Sequence, residues 1–161
     1  MSNDFRAEYR AAREAIIKED VHIQGGLKAA KGATLAMVFS RALLFVATII
    51  ASITSQLAFG ALDIVMLLIS LIFAKIIHDG LRLLAILALA GGFYSGFMAW
   101  QNNIFDLVFG YRDIFLVAYV GIFILAIILT IIPMAYLLLN PKYKKYADAM
   151  TKLRQSVTIR R

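Results

Sequence analysis

The run Ile114–Leu139, IFLVAYVGIFILAIILTIIPMAYLLL, decides the fold. Its 26 residues carry no charged side chain. About 20 apolar residues in a helix cross the hydrocarbon of a bilayer, which is about 30 Å thick. The run therefore reads as a transmembrane helix. Pro133 inside it removes one backbone donor and frees the carbonyl of Leu129, which predicts a kink.

Working back toward the amino end, three more apolar runs lie at about 83–100, 57–77 and 35–55. The loop 101–113 separates the last two spans, and its apolar IFDLVF suits the outer headgroup zone. The turn His78-Asp79-Gly80 separates the middle two, and a very short turn without lysine or arginine joins the first two. The expected fold is an all-α integral membrane protein. Four antiparallel transmembrane helices fill 32–140, with amphipathic cytoplasmic helices at both termini.

Composition agrees. The chain has 161 residues, 61% of them hydrophobic and 17% charged, with a mean hydropathy of +0.79. A soluble domain is about half apolar and about a quarter charged. Four crossings use up the apolar middle, which leaves no room for a separate soluble enzyme domain. Cysteine is absent, which excludes disulfides, thiolate metal sites, a cysteine nucleophile and lipid attachment through cysteine. His22 and His78 are the only histidines, too few for a histidine-rich metal site. No metal and no cofactor is expected. The charged start of the chain is unlike a cleaved signal peptide.

The tails differ in character. Residues 1–24, within a cytoplasmic segment 1–31, read as an amphipathic helix. Ser2, Asn3 and Asp4 can cap it, and Phe5, Tyr9, Ala12 and Ile16 share one face. Gly25-Gly26 is expected to break it. Residues 141–161 form a basic tail. Asn140 is its cap, Pro141 takes the first helical position, and Tyr143, Tyr146, Met150, Leu153 and Val157 recur at helical spacing.

Lysine and arginine set the orientation. Of the 17 in the chain, only Arg112 falls on the far side; the rest lie in the tails, the flanks and the second turn. The positive-inside rule then places both termini in the cytoplasm. Trp100, Phe105, Phe109, Tyr111 and Phe115 mark the outer boundary, and Tyr136, Tyr143 and Tyr146 the inner one.

Several residues are candidates for function. Ala88, Gly92 and Gly96 step along the third span, and Ala47, Ala51 and Ser55 along the first. Small residues let membrane helices approach closely, so these stripes serve packing within one bundle or docking of a partner. Asp63 is an acid within the second apolar run. It is solvated near the outer interface, paired with a neighbouring helix, or handles a cation or proton. Arg41 and Lys75 are expected near the cytoplasmic face, as headgroup anchors or as a site for an anionic ligand. Lys142, Lys144, Lys145, Lys152 and Arg154 suit anionic lipid, the amino-terminal helix or a protein partner. His78-Asp79 lacks a nucleophile or metal cluster beside it, and no motif of catalysis or phosphate binding is present. The basic charge sits where topology demands it, so nucleic acid is not an expected partner.

The stretch IIPMAYLLLNPKYKKYADAM, residues 131–150, resembles the end of small bacterial four-span proteins. In those, an apolar helix runs into an Asn-Pro-Lys turn and a short basic-aromatic helix. The resemblance implies a bacterial cytoplasmic membrane and no chemistry. The expected function is a non-enzymatic membrane interaction protein: an accessory subunit, or an immunity or stress protein bound to a larger membrane partner. The alternative is an oligomeric channel or small transporter using Asp63 with Arg41 and Lys75. Either reading expects a homo-oligomer or a larger complex.

Overall fold

The computed structural model describes residues 3–54, 60–101 and 114–159. These form six helices: α1 (Asn3–Glu19), α2 (Val21–Thr54), α3 (Ala61–His78), α4 (Arg82–Gln101), α5 (Ile114–Leu139) and α6 (Pro141–Ile159). Ser55, the start of the 57–77 run and the loop 102–113 with Arg112 lie outside the described residues. Residues Val21–Ile53, α4 and α5 are each long and apolar enough to cross a membrane.

The packing is inverted relative to a protein folded in water. α4 buries Ala85, Gly92 and Ala99, one position per heptad, and turns Leu83, Phe93, Tyr94, Phe97 and Trp100 outward. In water those large side chains would be drawn inside at about 25 cal/mol per Å². Their outward placement suits a solvent that is itself apolar. There the hydrophobic effect no longer drives helices together, and close packing of small residues does. α2 follows the same rule, burying Ala30, Ala33, Met37, Ala47 and Ala51.

α2 is the central element. It packs most extensively on α5, then on α3 and α6, while α4 leans mainly on α5. α3 and α4 meet along a much shorter contact. Buried hydroxyls line the seams. Thr34, Ser40, Thr48, Ser70 and Thr130 each bond a carbonyl three or four residues back in their own helix, which satisfies them without water. The Ser40 and Thr130 hydroxyls also lie 3.1 Å apart, where one can donate to the other in place of its own carbonyl and so tie α2 to α5.

The expected break at Gly25-Gly26 is not there. α1 ends at Glu19, and α2 runs unbroken through both glycines. The break falls at Asp20, whose Oδ1 accepts the backbone N–H groups of His22 (2.8 Å) and Ile23 (3.4 Å) and so caps α2. The glycines serve close approach instead. A Cβ on Gly26 would collide with the carbonyl of Lys142 and lie 2.7 Å from Tyr146 Cβ. α6 is thus seated directly on the backbone of α2.

The turn after α3 is built as the sequence reading expects. Gly80 has φ +88°, and the N–H groups of Gly80 and Leu81 close back on the carbonyls of Ile77 (2.9 Å) and Ile76 (3.2 Å). Asn140 caps α6 by accepting the Lys142 N–H at 2.9 Å, with Pro141 in the first helical position. α5 continues through Pro133 as a single helix.

Candidate functional site

Two polar constellations emerge, one at the end where the termini gather and one deep in the bundle. The first joins α1, α6 and the α3–α4 turn. Arg13 of α1 reaches the Asp79 carboxylate at 3.2 Å and donates to the Tyr146 hydroxyl at 2.9 Å. Tyr146 in turn donates to the His78 carbonyl at 2.6 Å. Arg154 donates to the Asp79 carbonyl. Burial pushes the Tyr146 hydroxyl above its ordinary range, against the opposing pull of the Arg13 hydrogen bond. Nearby, Lys145 holds Asp20 Oδ2 at 2.7 Å, and that hydrogen bond keeps the Asp20 carboxyl below the usual range. These contacts are structural: each fastens a terminal helix to the bundle.

The basic residues of α6 therefore divide. Lys145 and Arg154 are spent on intramolecular contacts, whereas Lys142, Lys144 and Lys152 are exposed. The apolar stripe Tyr143, Tyr146, Met150 and Leu153 is buried. Lys142 lines an open groove with Lys28, Tyr136 and Leu139 at the junction of α5 and α6.

The second constellation surrounds Arg41. It lines a cavity of about 150 Å³ with Met37, Met66, Ser70, Gly91 and Thr130. It also borders a pocket of about 10 Å³ beside Gly92 and Ser95, room for a single water. Ser70 and Gly91 stand halfway along α3 and α4. Arg41 is thus level with the midpoints of α3 and α4. Lys75 does lie at the terminal-helix end, in a groove with Lys31, Thr34 and His78. Seven residues of helix, about 10 Å, separate Thr34 from Arg41, so Arg41 and Lys75 do not share a site.

Among the described residues Arg41 has no hydrogen bond and no ion pair. A guanidinium at the middle of a membrane helix costs about 2.5–3.5 kcal/mol on insertion scales. Asp63 does not offset it. It sits in the first turn of α3, where its Oδ2 accepts the Gly60 N–H at 3.0 Å and its own N–H bonds the Gly60 carbonyl at 3.1 Å.

The small-residue stripes turn mostly inward. A Cβ on Gly92 would lie 2.8 Å from Ile131 Cγ1, and one on Gly96 3.8 Å from Ile127 Cγ2, both in α5. Ala47 and Ala51 are buried and Ala88 half-buried. Gly91 differs, since a Cβ there would meet nothing within 4 Å. Gly92→Leu is expected to lower stability in detergent by about 2 kcal/mol through overpacking. Gly96→Ala should be neutral, because the added methyl meets only ordinary contact distance. Thermal unfolding followed by circular dichroism checks both.

Helix content and inverted packing define the class, an all-α membrane protein. The chain matches no protein-family model, no curated protein and no solved structure.

Proposed function

We propose that this chain is a non-enzymatic membrane interaction protein of the bacterial cytoplasmic membrane, an accessory or immunity-type subunit bound to a larger membrane protein. In this reading α3 is the fourth span. Its 18 residues extend about 27 Å, close to the hydrocarbon thickness. Both termini then lie in the cytoplasm, as the basic-residue bias favours. The exposed lysines of α6 rest on anionic lipid, each worth about 1 kcal/mol near the surface.

The observation that carries the reading is the short α3–α4 contact. Where α2–α5, α2–α3 and α4–α5 close on each other, this pair leaves a lateral cleft walled by Met66, Ile69, Leu87 and Gly91. A cleft that opens sideways into the membrane is a place for another protein, whereas a channel needs a path along the bundle axis. The channel reading has less behind it, because Asp63 is occupied with the first turn of α3 and Lys75 and Arg41 lie at different depths.

Purification of the tagged chain from its native membrane in mild detergent should yield a stoichiometric complex with a larger membrane protein, read by its mass. A lone monomer would count against the proposal. Solute or ion flux into liposomes that exceeds that of empty vesicles, and disappears with Asp63→Asn, would favour the channel instead.

A further inference from the structure

We propose that the cleft between α3 and α4 receives a transmembrane helix of a different protein, and that a carboxylate carried by that helix at mid-depth pairs with Arg41. The inference rests on the partner-binding reading above and names the partner's chemistry.

Three observations converge on it. The first is the unmatched charge. Arg41 lines the cleft together with Ser70 and Thr130, and no acidic side chain reaches it among the described residues. A guanidinium presents paired donors that fit a carboxylate in bidentate fashion, and such a pair is strengthened when water is excluded.

The second is the inventory of acids. α2, α4 and α5 contain no aspartate or glutamate, and α3 contains only Asp63 in its first turn. Among the described residues, a second copy of this chain therefore has no helix that can bring a carboxylate to the depth of Arg41. The partner helix must come from another protein.

The third is the shape and depth of the cleft. Its rim is apolar, with Met66, Ile69 and Leu87 exposed, which suits the side chains of a helix in lipid. Gly91 leaves open space where any other residue would project. Arg41 is level with the midpoints of α3 and α4. A lipid phosphate sits about 15 Å away from the midplane, half the hydrocarbon thickness, whereas a residue halfway along a spanning helix arrives there without distortion.

The test uses the full chain in phosphatidylcholine vesicles. Its lack of cysteine allows one dye on a cysteine introduced at exposed Lys152. The probe is a labelled leucine–alanine peptide of about 20 residues, long enough to span, with a single central glutamate. Sibling peptides carry glutamine or leucine at that position. Energy transfer should show the glutamate peptide associating about 10-fold more tightly than the leucine peptide, or better. R41K, which keeps the charge but loses the paired donors, should weaken that preference, and R41Q should abolish it. G91L, which fills the cleft without touching the charge, should also abolish it, with helix content unchanged by circular dichroism.

Equal association of all three peptides, or a preference that survives R41Q, would overturn the proposal. So would a preference that vanishes when phosphatidylglycerol is added to the vesicles, since a lipid phosphate would then be the true companion of Arg41. An R41Q chain that still co-purifies with a membrane partner in full stoichiometry would remove this site while leaving the partner-binding reading in place.

Discussion

Replacing Gly26 with leucine should detach α6 from the bundle. A Cβ at this position would lie 2.8 Å from the carbonyl carbon of Lys142 and 2.7 Å from Tyr146 Cβ, with the Lys142 carbonyl oxygen closer still. The obstacle is backbone, which cannot rotate aside as a side chain can. α6 must move as a unit, and its movement uncovers Tyr143, Tyr146 and Met150, all fully buried. Overpacking in a tight seam typically costs about 1–3 kcal/mol. Exposure of three large side chains adds to that, so a loss of about 3 kcal/mol or more is expected. Limited proteolysis in detergent should then cut near Asn140 many times faster than in the parent chain, while the helices within the micelle stay protected. Unchanged resistance would show that the α2–α6 seam is not what holds the terminal helix. Gly25 offers the contrast. There a Cβ would meet the flexible end of Lys142, 2.9 Å away at Cδ, so Gly25→Ala should be mild.

Alkaline pH should loosen the same helix in the parent chain. Burial pushes the Tyr143 hydroxyl up to about 12, from 10.0 for a free tyrosine. The folded state therefore holds its proton where the unfolded chain has already released it. The stabilisation is fully present below pH 10 and is lost as pH rises through 12. Two units at 1.36 kcal/mol each set an upper figure of about 3 kcal/mol. Tyrosinate absorbance and protease sensitivity at the α5–α6 junction should rise together across that window. Tyr143→Phe should shift the loss of protection to higher pH and leave Tyr146, which is also raised, as the remaining buried hydroxyl of the pair. Titration of Tyr143 near 10 with α6 still protected would contradict the packing described here.

How much of this could be read from residues alone depends on the kind of information each feature needs. The helices of the apolar middle were legible because a long uncharged run has one way to satisfy its backbone in lipid. α5 has the bounds read from its sequence, Ile114–Leu139, and the Asn140-Pro141 start of α6 and the Gly80 turn follow local rules of capping and chirality. Gly25-Gly26 went the other way. As a dipeptide it signals a break, yet the decisive fact is that α6 lies against it, and that fact is not local. The true break has a local signal of its own, Asp20 placed to cap the two N–H groups ahead of it.

The site divides along the same line. Composition, charge bias and hydropathy by themselves determined an all-helical protein with membrane-length apolar helices, because burial in lipid depends on what a segment is made of and how long it is. Tertiary structure alone decided that Gly92 and Gly96 pack inward on α5 while Gly91 stays open. It also decided that Asp63 bonds the start of α3 and that Arg41 stands unmatched at mid-depth. Those outcomes depend on which helix faces which, and on the level at which they meet. Faces and levels are set by packing between segments far apart in the chain, where no single stretch of sequence carries the answer.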